Sequence, residues 1–156
     1  MNTVVTSRRR VSVAVSLFLV VLLVFGFAPH RARAARSPGR VQMLSLTNQA
    51  REQKYKSDLA LNNGLSHLAK KHSRAMAQKG YLFHTDSDTL IHALRRYDWS
   101  IGGENVGVGS TLDGLQRAFM HSKVHRQNIL RNRFDHAAIG VVHSDGQLWV
   151  TVIFYG

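Results

Sequence analysis

The chain has 156 residues, no cysteine and a formal charge of +12 at neutral pH. That length is one domain's worth and suffices to bury a core. Without cysteine it cannot be a disulfide scaffold, a thiol enzyme, a Cys-ligated zinc protein or a cysteine-anchored lipoprotein, and it must hold itself by its core alone. The charge is uneven: five of the 21 basic residues lie in residues 1–34 beside no acid, leaving 16 against 9 acids, or +7, for the rest. Such a surface is soluble and drawn to anionic lipid head groups or wall polymers. No basic helix with interleaved aromatics and no finger signature accompanies it, so no nucleic-acid partner is expected.

Arg8-Arg9-Arg10 precede an apolar run from Val11 to Ala28, and Ala32-Arg33-Ala34 offers small residues two apart. This is the order of a secretory signal, residues 1–34, with cleavage after Ala34. The alternative is an uncleaved anchor, because the run approaches the ~20 residues that span a bilayer. In either case the chain is expected to be exported, secreted or held at the membrane only by this segment. Export without cysteine leans bacterial.

Residues 35–40 read as a linker of Ser, Pro, Gly and Arg, and the domain as 41–156. A first helix is expected over Arg40–Gln53, with Val41, Leu44, Thr47, Asn48 and Arg51 on one side, ending in the charged run Arg51–Asp58. Asn62-Asn63 caps a second, Asn63–Lys79, whose apolar face is Leu65, Leu68, Ala69, His72, Ala75 and Met76, with Gly80 as its stop. Tyr81–His84 leaves it as an apolar loop. Asp86-Ser87-Asp88 caps a short helix through Arg96. Gly102, Gly103, Gly107 and Gly109 bracket Glu104-Asn105-Val106, which reads as a turn into a short strand. Thr111 and Asp113 start a helix with Leu112, Leu115, Ala118 and Phe119 on its face. Ala137–His143 and Leu148–Phe154 are β-type runs joined by Asp145-Gly146, a hairpin signal.

Polar groups gather in His121–Leu130, in Gly102–Asn105 and at His84, so histidine, glutamate and histidine from three segments could share one cleft. His121 and His125 have the four-residue spacing of a helical zinc pair. Ser122 stands where a metalloprotease of that design needs glutamate, which disfavours the reading and leaves His121 exposed at a helix end. His125 is flanked by Arg126 and Asn128, which can fix local backbone. Glu104, on a Gly-rich loop, is either functional or a cap for backbone N–H groups. His72 reads as a core histidine. His30, His67, His92, His136 and His143 read as surface or strand positions.

The ordered set Leu-x-x-Leu-Ala-x-x-His-Ser-x-x-Met-Ala, His84, Gly-Glu104-Asn105, His125-Arg126-x-Asn128-Ile-Leu, Ile139-Gly140-Val141 and Trp149 resembles the CAP superfamily. That group comprises cysteine-rich secretory, antigen 5 and pathogenesis-related proteins, and the resemblance is closest to its cysteine-free bacterial SCP-domain branch. It covers Val41 to the end. It implies an α+β fold, a three-layer α-β-α sandwich with a small, mainly antiparallel central sheet and a cleft on one side. The family's cleft holds two histidines and two acids, and in several members the histidines hold a divalent metal. Carried over, the histidines are His84 and His125 and the first acid is Glu104. The second acid falls at Ser122 and is missing. Phe119 replaces a tryptophan, and Lys123-Val124 a common Pro-Gly.

Two neutral imidazoles and solvent make a weak, open site for zinc or another divalent cation. Glu104 is then a ligand, an orienter of one imidazole, or a base acting on bound water. Ser122 as a nucleophile needs a base and an oxyanion site, neither visible in sequence. The leading expectation is a non-enzymatic extracellular binding module whose ligand is a lipid, a cell-wall polymer or a protein. The alternatives are a metal-assisted hydrolase, a peptidase or a wall-directed enzyme, built on the same residues, and a purely structural cleft in a lipid-binding protein. Asn105, Arg126 and Asn128 are expected to support the cleft.

Overall fold

The computed structural model describes residues 38–156. The expected signal segment and His30 lie outside the described residues. The elements run α1 (Pro38–Glu52), β1 (Ala60–Leu61), α2 (Ser66–Lys79), α3 (Ser87–Leu94), β2 (Gly102–Gly109), α4 (Leu112–His121), α5 (Lys123–Ile129), β3 (His136–Ser144) and β4 (Gln147–Tyr155). α1 thus begins inside the stretch read as linker, with Pro38 at its first position, where a missing N–H costs nothing. Among the described residues no helix is long and apolar enough to cross a membrane.

The sheet order is β1-β3-β4-β2, with β3–β4 and β4–β2 antiparallel and β1–β3 parallel. The β3–β4 hairpin turns at Asp145 (φ 50°) and Gly146 (φ 72°), two left-handed residues whose twist matches the flanking strands. Successive side chains along β3 and β4 point to opposite faces, and each face has its own helices. Ala137, Ile139, Val150, Val152 and Phe154 pack with Met43 of α1, Leu112, Leu115 and Phe119 of α4 and Ile129 of α5. On the other face Ala138, Ile153 and Tyr155 meet Leu65, Ala69 of α2 and Leu94 of α3. Trp149 joins Met76 and Val106 beside them. The result is the expected three-layer α+β sandwich.

Some faces are rotated from the sequence reading. α1 buries Met43, Thr47, Ala50 and Arg51, and Val41 is exposed. α2 starts at Ser66 after a turn in which the Asn62 side chain accepts from the Leu65 N–H (2.9 Å). Its buried stripe includes Ser66 and Ser73, neither expected there. Gln116, not Ala118, is buried on α4, because the helix packs against α1 as well as the sheet and Thr47 Oγ1 lies 3.4 Å from Gln116 Oε1.

β1 was not anticipated, and its brevity has a cause in α2. Beyond Ala137 the outer edge of β3 is met by a helix side chain instead of a strand: Ile139 N–H donates to Ser66 Oγ (3.0 Å). α2 also touches the sheet directly. A Cβ on Gly140 would lie 2.2 Å from the carbonyl carbon of Ala69, so only glycine admits the helix backbone this close. Ser73 Oγ bonds the Gly140 carbonyl (3.2 Å) and Thr151 Oγ1 (2.9 Å) in the same layer.

Gly102–Gly109 is a full strand at the sheet edge and not a turn into a short one. Its glycines have no left-handed φ. They serve close approach instead: a Cβ on Gly103 would stand 2.9 Å from Asn128 Oδ1 and 3.1 Å from the Phe134 ring.

The end of α1 is fixed by polar side chains. Asn48 brackets the backbone of Leu59, donating to its carbonyl (3.1 Å) and accepting from its N–H (2.9 Å). Arg51, only 1% exposed, donates to the carbonyls of Ser57 (2.7 Å), Ile129 (2.8 Å), Arg131 (3.1 Å) and Phe134 (3.0 Å). Burial lowers its pKa, with Asp58 nearby acting in the opposite sense. One guanidinium therefore ties α1, the following loop, α5 and the approach to β3 together.

Candidate functional site

α2 stops at Gly80 in the left-handed conformation (φ 74°), its N–H bonding the Met76 carbonyl. The chain then turns back along the helix. His72, buried on α2, donates through Nε2 to the Phe83 carbonyl (2.7 Å), and its ring meets the Phe83 ring edge-on at 4.8 Å. The Lys79 ammonium lies over the other ring of that pair, 4.5 Å from the Phe83 centroid. These contacts present His84 and Thr85 to β2.

There Glu104 receives three hydrogen bonds. Oε2 accepts from His84 Nδ1 (2.8 Å) and from the Thr85 N–H (2.9 Å), and Oε1 accepts from the Thr85 hydroxyl (2.6 Å). The Glu104 side chain is 5% exposed and that of His84 63%. A carboxylate has no hydrogen to give, so the shared hydrogen sits on Nδ1 and Nε2 of the neutral ring points its lone pair outward. Of the roles open to Glu104, the geometry matches an imidazole orienter that also pins the loop. Glu104→Ala should lower the unfolding free energy by ~1–3 kcal/mol, because it leaves the Thr85 N–H and hydroxyl without their acceptor. Urea unfolding of the full chain measures it.

His125 lies in α5, half-buried, with its ring 5.0 Å from Phe119 at 48°. Burial lowers its pKa, and His84 nearby lowers it further, so the ring is a neutral imidazole at neutral pH. Two asparagines hold it to β2. Asn105, fully buried, donates from Nδ2 to the His125 carbonyl (3.1 Å). Asn128 Nδ2 donates to Asn105 Oδ1 (2.9 Å) and to the Glu104 carbonyl (3.2 Å). Gly103 leaves the space that Asn128 fills.

The structure thus gathers His84, Glu104, Asn105, His125 and Asn128 around the edge strand β2, with Glu104 and Asn105 on its opposite faces. Arg126 is elsewhere in effect: exposed, it donates to the Met120 carbonyl (2.9 Å) and clips α5 to the end of α4. Ser122 is the extended break between those helices (φ −83°, ψ 123°), and its hydroxyl has no hydrogen bond among the described residues. That break puts His121 and His125 on different helices, and exposed His121 bonds the Arg117 carbonyl through Nδ1 (2.7 Å). Among the described residues no cluster of three or more His, Cys, Asp or Glu side chains is disposed to hold a metal ion. The donor set left for a cation is His84 and His125 with solvent, which suits loose rather than tight binding. Thr85 was missed from sequence, since nothing marks a lone threonine as a double donor until the loop's path is known.

Comparisons with known proteins agree with this architecture. The chain is similar to YkwD of Bacillus subtilis, an uncharacterised protein, at 29% identity over 113 residues, covering 69% of this chain and 44% of that one. A Bacillus anthracis extracellular protein with an SCP domain superposes with a TM-score of 0.62 at 27% identity, over 75% of this chain and 40% of that one. The chain therefore spans less than half the length of both. An outer surface protein of Borrelia burgdorferi shares the fold at 19% identity, with a TM-score of 0.61, over 74% of this chain and 90% of that one. Residues 44–154, which span β1 to all but the last residue of β4 and contain each of His84, Glu104 and His125, match the Cysteine-rich secretory protein family, CAP, and the chain belongs to it.

Proposed function

We propose that this chain is an exported CAP-domain binding module, whose His84–His125 edge takes zinc or another divalent cation loosely and whose surface engages an extracellular lipid, wall polymer or protein. The observation that carries binding over hydrolysis is the state of Glu104. Its carboxylate is buried and accepts from three donors, so it is committed to holding His84 and Thr85 and is not poised to take a proton from water. The position where the family has a second acid is Ser122, and no base stands within hydrogen-bond reach of its hydroxyl among the described residues. Export is supported by the charged, apolar and small-residue order of residues 1–34.

Zinc titration calorimetry on the full chain, beside His84→Ala and His125→Ala, tests the cation. Saturable binding near one ion per chain, lost in both variants, is expected. Absent binding, or binding that persists in both variants, overturns that part of the reading. A chelator-sensitive peptidase or wall-polymer hydrolase activity that disappears in Glu104→Gln would replace the binding module by an enzyme.

A further inference from the structure

Beside His84 lies a cleft of about 330 Å³ between α2 and the Phe83–Asp86 segment. Leu68, His72 and Ala75 of α2 and the Phe83 ring line it, together with the polar Lys71, His84, Thr85, Asp86 and Thr89. The volume is at the small end of the roughly 300–1,000 Å³ of ligand pockets, and mostly apolar walls with a few fixed polar groups are the usual make-up of such sites.

Of the polar groups in it, His84 and Thr85 are committed to Glu104, and His72 is the one held from α2. The residue is 9% exposed, so nine-tenths buried. The Phe83 carbonyl can only accept, so His72 Nε2 carries the hydrogen at their 2.7 Å contact and Nδ1 of the neutral ring is an acceptor. Nδ1 has no hydrogen-bond partner among the described residues and is not among the buried atoms sealed off without one. The cleft is the space that residue lines. A solvent-reached acceptor on a largely buried ring, held in place by that ring's other nitrogen beside a cleft with an apolar side, is matched by a ligand that donates one hydrogen bond from an otherwise apolar body. The wall chemistry narrows the body: the Phe83 and His72 rings stand at 76° to one another, 4.8 Å apart, and form a corner that suits the face and edge of a flat ring.

We infer that this cleft binds a small phenol, its ring against Phe83, Leu68 and Ala75 and its hydroxyl donating to His72 Nδ1. His84 itself lines the cleft, so the phenol site adjoins the candidate cation edge, and a chelator in the test keeps the two apart. The site adds a defined chemical class to a surface for which the family assignment supplies none.

The test uses p-cresol and toluene, which share a body and differ in the hydroxyl, titrated into the full chain with EDTA present throughout. p-Cresol should bind about 3- to 10-fold more tightly than toluene, the worth of one intramolecular-type hydrogen bond. Amide and side-chain NMR shifts should fall on His72, Ala75 and Phe83. Ala75→Phe, which fills the cleft from a half-buried helix position, should abolish p-cresol binding while the thermal transition is kept; Ala75→Leu serves if the larger ring unfolds the chain. Equal affinity for the two probes, no detectable binding of p-cresol, or binding that survives the filling variant overturns the proposal.

Discussion

Arg51→Ala is expected to lower the unfolding free energy by about 3–5 kcal/mol, from the cavity left by a large buried side chain together with unsatisfied carbonyls. The residue is all but sealed from solvent, and its guanidinium serves four carbonyls from three parts of the chain. Truncation strips those carbonyls of their donor in a place that water reaches poorly, and it also opens a cavity the size of the side chain. Lysine should not rescue it. An ammonium is a compact point charge, whereas the planar fork of arginine reaches acceptors on several sides at once. Urea unfolding of the full chain should show Arg51→Ala and Arg51→Lys both at lower midpoints with an unchanged slope, alanine the lower. A loss of unfolding free energy under about 1 kcal/mol would mean that the four contacts are incidental to stability.

Gly140→Ala should cost about 3 kcal/mol, at the upper end of overpacking penalties. The obstacle is backbone: the added carbon would lie 2.2 Å from Ala69 C, 2.3 Å from Ala69 O and 2.3 Å from Lys70 N. A side chain could swing aside, but a helix backbone moves only as a unit, so relief requires α2 to withdraw from β3. That withdrawal would break the Ser66–Ile139 and Ser73–Thr151 hydrogen bonds on either side of the contact. Differential scanning calorimetry gives the size of the loss. Histidine NMR reports its reach, because α2 also carries His72, which holds the Phe83 carbonyl and hence the approach to His84. A wild-type transition in the variant would show that this interface yields without cost.

Some of this molecule is local and was readable as such. Asp145-Gly146 needs two left-handed residues and turns where expected. Thr111 and Asp86 cap their helices through their own side chains, Thr111 accepting from Gly114 N–H and Asp86 from Thr89 N–H. Gly80 ends α2 for a reason contained in its own backbone freedom. The order of His84, Glu104 and His125 along the chain was likewise visible, and so was the family those residues resemble.

Other features depend on neighbours distant in sequence. The glycines of β2 read as a turn because a glycine cluster has the same composition whether it serves a positive φ or a close approach. Only the positions of Asn128, Phe134 and Phe119 reveal the second. β1 is two residues long, below the length at which alternation carries a signal, and exists because β3 offers it an edge. Ser66 and Ser73 look like solvent positions until β3 and β4 supply their partners.

The sequence by itself determined the helix stops and caps, the hairpin, the two-faced patterning of the closing strands and the order of the site residues, because each follows from interactions within a few residues of chain. Tertiary structure alone decided that Glu104 holds His84 through Nδ1 with Thr85 as co-donor, that Ser122 divides two helices, and that Arg51 is a buried hub. The first and the last depend on hydrogen bonds that, apart from Arg51–Ser57, cross gaps of 19 to 83 residues, whose partners no local pattern names.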